Sequence, residues 1–426
     1  MTAAARPAAP PPARPALSRL RDWTDMHRST TIVVAMAIVT VAMYFLPIFP
    51  PLSIVQSPGT WYDAFANAGV FVLLAMGLNV VIGMAGLLDL GYAAFFAIGA
   101  YTYAYSNSPF THIDAPFFPM LIVGAFIAAV FGILLGAPTL RLRGDYLAIM
   151  TLGFGEIVPI VFLNLETYTQ GTNGIGGIYR PEALPSFTIP VINFTVDLGP
   201  FSAISPFNYF IVMLGIVTVT MILLYRLQDS RIGRAWNAIR EDELAAAANG
   251  INTVTTKLLA FALGATTSGL AGVFNASKLT IVSPDQFLFT VSFTVLAMVI
   301  LGGMGNIWGV AVGAFIVYMI QVVILKNING VIEQLGIPDF TIPLLNVHVD
   351  LKNVPFVEFQ FLLYGIALVL MMLLRPEGLF PSQRRRQELH IAEELAEGFE
   401  ESTEVPVIPP ADEPDLPGVS RPEDPS

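Results

Sequence analysis

The segment FPMLIVGAFIAAVFGILLGAPT, Phe118 to Thr139, has no charged side chain and only one hydroxyl, on its last residue. As a helix it would be about 33 Å long, enough to cross the roughly 30 Å hydrocarbon core of a bilayer. Further apolar runs of this length recur along a chain of 426 residues that is 54% hydrophobic and 12% charged. In hydrocarbon the backbone must satisfy its own hydrogen bonds, so such runs are read as helices. The sequence therefore predicts an all-α polytopic membrane protein.

Spans fall at roughly 31–49, 64–86, 88–106, 118–139, 146–165, 208–226, 258–277, 287–304, 307–325 and 359–375, about ten transmembrane helices within a membrane domain of residues 31–380. With the N-terminus inside, 17 of the 21 Lys and Arg lie on the inner side, and only Arg180, Lys278, Lys326 and Lys352 lie outside. That asymmetry is what the positive-inside rule requires, and it places both termini in the cytoplasm of a multi-pass protein of the cell membrane. Trp61 and Trp308 open spans at positions suited to interfacial anchors.

Residues 1–30 are Ala/Pro-rich and basic, and residues 381–426 form an acidic tail. From Glu388 to Ser426 there are twelve acidic residues against Arg421 alone, while the preceding 387 residues carry 20 charges of each sign. Both ends lack the apolar surface to fold and are expected to be disordered. The first apolar run shows no small-residue cleavage pattern and is read as a retained span.

Two long outer loops, about 166–207 and 326–358, contain a repeat: LPSFTIPVINFTVDL from Leu184 and IPDFTIPLLNVHVDL from Ile337, identical at nine of fifteen positions. β-Branched residues bounded by turn formers predict short β-hairpins in both. Because exposed strand edges invite pairing, the two hairpins are expected to lie side by side on the outer face.

Chemistry is restricted by what is missing. The chain has no cysteine, and His27, His112, His348 and His390 all lie outside the apolar runs, so no metal site is expected. No GxxxxGK[ST] loop is present, so nucleotide is not bound through a P-loop. Three polar residues inside spans are pathway candidates. Glu156 lies eleven residues into the stretch that opens at Asp145; an acid at that depth costs about 3 kcal/mol and is expected to face the protein interior. Asp89, among Gly83, Gly86 and Gly91, suits a broken helix whose free amides need a partner, and is read first as a cap on the third span. Asn79 adds a polar contact. Gly264, Ser268 and Gly272 repeat at four-residue spacing and predict a close helix crossing.

The longest inner loop, residues 227–257, contains SRIGRAWNAIREDELAAAANGI, a run of helix formers between Gly233 and Gly250. Its alanines let another surface approach the backbone closely, and the loop is read as a partner site.

Six separated motifs, GLNVVIGMAGLLDLGYAAFFAIGAY, LRLRGDYLAIMTLGFGEIV, TNGIGGI, RIGRAWNAIREDELAAAANGIN, VILGGMGNIWGVAVGA and RPEGLF, stand in order between about residues 64 and 380. Together they resemble the LivM-type permease subunits of branched-chain amino acid ABC importers. The resemblance implies a type II importer permease that carries leucine, isoleucine or valine, without enzymatic activity or a cofactor of its own. The implied partners are a second, LivH-type permease, two cytoplasmic ATPases that bind the ATP, an external solute-binding protein and the lipid bilayer, with no nucleic acid. It also implies that Asn237, Arg240, Glu243, Ala245, Ala246, Ala247 and Gly250 couple the chain to an ATPase. One departure is visible: Leu244, Ala245 and Ala246 stand where such permeases carry Glu-Ala-Ala, with Glu243 one place early. Related permeases for urea or another small amide share the scaffold. A proton-driven secondary transporter using Glu156 and Asp89 is the alternative from another class.

Overall fold

The computed structural model describes residues 28–48, 57–109, 111, 113–139, 144–179, 187–189, 194–196, 206–325, 340–342, 347–349, 358–375 and 378–380. The N-terminal tail up to residue 27, the acidic tail and most of the two outer loops lie outside these residues. The helices are α1 Arg28–Phe45, α2 Pro58–Asn79, α3 Ala93–Ser106, α4 Phe117–Thr139, α5 Asp145–Asn164 and α6 Pro206–Gln228. They continue with α7 Arg231–Glu241, α8 Glu243–Ala248, α9 Thr253–Leu279, α10 Phe289–Gly302, α11 Ile307–Met319 and α12 Gln360–Leu374. A helix stands at each place the sequence marks. Among the described residues, six helical stretches, including Pro58–Met84, Phe117–Thr139 and Thr253–Leu279, are long and apolar enough to cross a membrane.

α9 is the central post, packed against α4, α3 and α2, while α2 also holds α6, α11 and α10. Small residues set these distances, as the glycine spacing predicts. A Cβ on Gly272 would lie 2.3 Å from the Phe96 carbonyl oxygen and 2.6 Å from the Ala100 nitrogen. One on Gly264 would lie 2.6 Å from Val81 Cγ2 and 3.2 Å from the Gly77 oxygen. Backbone thus meets backbone across the helix crossings, which is how helices associate where lipid removes the hydrophobic drive. α1 and α12 lie at the edge and expose apolar faces, Val34, Ile38 and Val41 on one and Leu362, Val369 and Leu373 on the other.

Trp61 differs from its expected role as an interfacial anchor. It is buried and its ring lies 6.0 Å from that of Phe65, because α2 is covered on several sides. Lys278, counted among the outer charges, is the penultimate residue of α9 and reaches Asp63 at 2.8 Å and Asn67 at 2.6 Å on α2.

Several of the described helices fall well short of the membrane thickness. α3 and α10, at 14 residues each, extend only about 21 Å. Irregular residues 85–92 precede α3, whereas the short helical turn Pro284–Phe287 runs on into α10 to make a helical stretch of 19 residues, Pro284–Gly302. α2 itself ends in a π-helical turn, Val80–Met84.

Three antiparallel strand pairs are present among the described residues. β1 Ile175–Gly176 joins β4 Ile281–Val282, tying the segment after α5 to the end of α9. The TNGIGGI motif makes this possible, since Gly174 has φ +67° and a Cβ there would lie 2.4 Å from the Val282 oxygen. β2 Phe187–Ile189 pairs with β3 Phe194–Val196, and β5 Phe340–Ile342 with β6 Val347–Val349. The registers match, Phe187 opposite Val196 and Phe340 opposite Val349. These pairs form separate sheets, so the expected mutual pairing is not made among the described strands; each strand pairs within its own copy of the repeat.

Candidate translocation and coupling sites

The interruption between α2 and α3 leaves backbone amides without helical acceptors, and side chains from three places supply them. Leu90 N donates to Thr151 Oγ1 on α5 at 3.0 Å, Gly91 N to Asp89 Oδ1 at 2.9 Å, and Ala93 N to Ser292 Oγ on α10 at 2.9 Å. Asp89 thus sits in the broken segment as the sequence predicts, but it is not the helix cap. It satisfies an amide two residues on, and the first amide of α3 is capped by Ser292, which no sequence signal near Asp89 announces. Asp89 is 2% exposed, and its Oδ2 has no hydrogen-bond partner. It borders a crevice of about 10 Å³ shared with Gly136, Thr151 and Phe261, about the space one water needs.

α5 presses on this segment through Gly155, where a Cβ would lie 2.8 Å from Gly91 Cα. Glu156, the next residue, points the other way and is exposed. The expectation is that it faces the protein interior; within this chain taken alone it is uncovered. Tyr146, Ile149, Ile157 and Ile160 share the exposed surface of α5 with it. Asp89 is thus buried beside α5, whereas Glu156 is exposed on it.

The inner-loop residues form two capped helices. Ser230 accepts from the amides of Ile232 and Gly233 at the start of α7, and Asp242 from those of Leu244 and Ala245 at the start of α8. α8 ends at Gly250, φ +84°, with Gly250 N donating to the Ala247 oxygen and Ile251 N to the Ala246 oxygen, the paired bonds of a Schellman turn. α7 is anchored by Trp236, fully buried, whose Nε1 donates to the Thr256 oxygen at 2.7 Å.

The candidate coupling residues separate into two sets. Ala245, Ala247 and Gly250 are exposed, and Leu244 beside them is 69% exposed. Ala246 is buried, Glu243 is held at 2.6 Å by Lys257 of α9, and Arg240 bonds the Gly83 carbonyl at 2.6 Å. Asn237 is half-buried. Asn79, fully buried, is brought near Arg240 by the π turn and accepts from Gly305 N at 2.8 Å. The last two residues of the RPEGLF motif lie against the turn between α10 and α11: Leu379 N donates to the Leu301 oxygen at 2.9 Å, and Asn306 Nδ2 to the Phe380 oxygen at 3.0 Å.

Long apolar helices, an interrupted segment stapled by side chains, and a capped helix pair whose second member exposes Leu244, Ala245 and Ala247 fit a polytopic membrane permease. Residues 62–372 match the family described as the permease component of the branched-chain amino acid transport system, and the chain belongs to that family. It is 37% identical over 331 residues, 75% of this chain and 70% of the relative, to the high-affinity branched-chain amino acid transport system permease protein LivM of Salmonella typhimurium. It is similarly 37% identical over 334 residues to LivM of Escherichia coli, again 75% of this chain and 70% of the relative. The LivH permease of Salmonella typhimurium is more distant, 24% identical over 266 residues that cover 60% of this chain and 82% of the relative. No solved structure matches the chain.

Proposed function

We propose that this chain is one of two permease subunits of an ATP-driven importer for branched-chain amino acids, crossing the membrane ten times with both termini in the cytoplasm. A LivH-type subunit completes the pair, an external binding protein delivers the substrate, and two cytoplasmic ATPases bind and hydrolyse the ATP. The chain performs no covalent chemistry and needs no cofactor of its own. Its work is to open and close half of a path.

The observation that carries this reading is the exposed knob of α8. Leu244, Ala245, Ala247 and Gly250 are exposed on a helix otherwise fixed to the bundle by Ala246 and by Glu243 on Lys257. A small, rigid apolar projection with capped ends suits a groove on another protein better than it suits water. The face of α5 supports the other half of the reading. A carboxylate among Ile149, Ile157 and Ile160 is poorly suited to lipid, and is accommodated if this face lines the aqueous path against the second permease. The paired strands of the two repeats, β2–β3 and β5–β6, are assigned to the outer face, where they meet the binding protein.

Isolation of the chain in mild detergent from its native host tests the class. Two ATPase subunits and a second permease are expected to copurify. A chain that transports alone and recruits no ATPase is a different kind of transporter.

A further inference from the structure

α2 ends where α7 touches it. Arg240, in the last turn of α7, donates from Nη1 to the Gly83 carbonyl at 2.6 Å. Its aliphatic stem lies on Gly86, where a Cβ would be 2.9 Å from Arg240 Cγ and 3.3 Å from Arg240 Cβ, and where φ is +71°. Carbonyls at the end of a helix lack amide partners and carry partial negative charge, so a guanidinium there bonds and attracts at once. One turn back, Asn79 Oδ1 takes Gly305 N, and Gly83 is required for this, since a Cβ there would lie 2.1 Å from Asn79 Oδ1. The Gly305 carbonyl receives Gln228 Nε2 of α6 at 3.4 Å. The inner helix pair, the end of α2 and the turn between α10 and α11 thus converge within a few residues of the broken segment.

We infer that Arg240 is a positioning residue that carries displacement of the α7–α8 pair into the interrupted segment before α3, an inference that rests on the coupling role proposed above. Two features make it suited to this. The hydrogen bond resists separation, and the stem lying on a glycine backbone resists sliding, so α7 cannot shift without taking Gly83 and Gly86 along. The chain beyond Gly86 has no continuous helical ladder. Leu90, Gly91 and Ala93 are held by side chains, so it is the part of the bundle that yields first. Arg240 therefore turns inward to the path, while α8 turns outward to the ATPase.

The test uses the complete importer in nanodiscs, with Leu88→Cys as the only thiol in a chain that has no cysteine of its own. Leu88 is 38% exposed and lies within the broken segment. A fluorophore at this position reports its movement when a non-hydrolysable ATP analogue is added. In the Arg240→Gln importer, ATP hydrolysis is expected to stay within about twofold of the parent. The fluorescence change is expected to vanish, and leucine uptake per ATP hydrolysed to fall about tenfold, as loss of one charge-assisted bond predicts. Arg240→Lys keeps the charge but not the planar fork, and is expected to lie between. An unchanged fluorescence response with unchanged uptake per ATP overturns the inference. So does loss of the ATPase subunits from Arg240→Gln, because Arg240 would then serve docking. If the parent importer itself shows no ATP-driven uptake, the proposed function fails before Arg240 is in question.

Discussion

Thr151→Val removes one hydroxyl from the middle of the bundle and keeps the side chain's volume. In the native chain that hydroxyl accepts from the Leu90 amide at 3.0 Å and donates to the Ala148 carbonyl at 3.0 Å, and Thr151 is 5% exposed. The variant leaves a buried N–H without an acceptor in a segment that no helical ladder supports. Such an orphan costs about 1–3 kcal/mol, which raises the local open population roughly 5- to 150-fold. The global fold should hold, because α9, α4 and α2 pack through other residues. Hydrogen–deuterium exchange with mass spectrometry, on the purified chain in nanodiscs, reads this directly. Peptides covering residues 87–95 should exchange faster by that factor, while peptides from α4 should not change. Ser292→Ala, which orphans the Ala93 amide, should act on the same peptides, and Thr151→Ser should remain close to the native rate. Exchange in 87–95 unchanged within about twofold for both Thr151→Val and Ser292→Ala would refute the stapling argument.

Ala247→Arg places a long cation on the exposed side of α8 and should abolish ATP-dependent uptake while the chain still inserts and keeps its melting temperature. Ala246→Arg points inward and should lower thermal stability by several degrees in detergent, so the two adjacent substitutions separate docking from packing. Gly272→Val drives a side chain into the backbone of Phe96 and Ala100 and should cost about 1–3 kcal/mol, read as a lower melting temperature by intrinsic fluorescence. Glu156→Leu tests the face of α5: uptake should fall with ATP hydrolysis retained, whereas normal uptake with raised stability would mean the face meets lipid.

The sequence pattern showed the helices because lipid imposes one solution on each apolar run, and α4 falls where its composition requires, at Phe117–Thr139. Glycine spacing likewise located the α9 crossings, since only a missing Cβ permits backbone contact. What the pattern did not disclose is direction. Glu156 follows Gly155, which faces inward against Gly91, so a helical rotation of 100° per residue puts the acid outside; without the neighbouring helices that phase is not readable. The same limit applied to Arg240, Glu243 and Ala246, which stand with exposed residues in the sequence but turn toward Gly83, Lys257 and the core of the loop. Ser292 was missed altogether, since its partner amide lies 199 residues away.

On the proposed function, ATP hydrolysis by partner subunits, and not a proton gradient, drives this permease. Uptake of labelled leucine should therefore be measured in proteoliposomes holding the full complex and binding protein, with the proton gradient clamped at zero. Uptake is expected to require ATP on the side that carries α8 and to stop when it is withdrawn. Uptake that continues without ATP and follows an imposed proton gradient would contradict it.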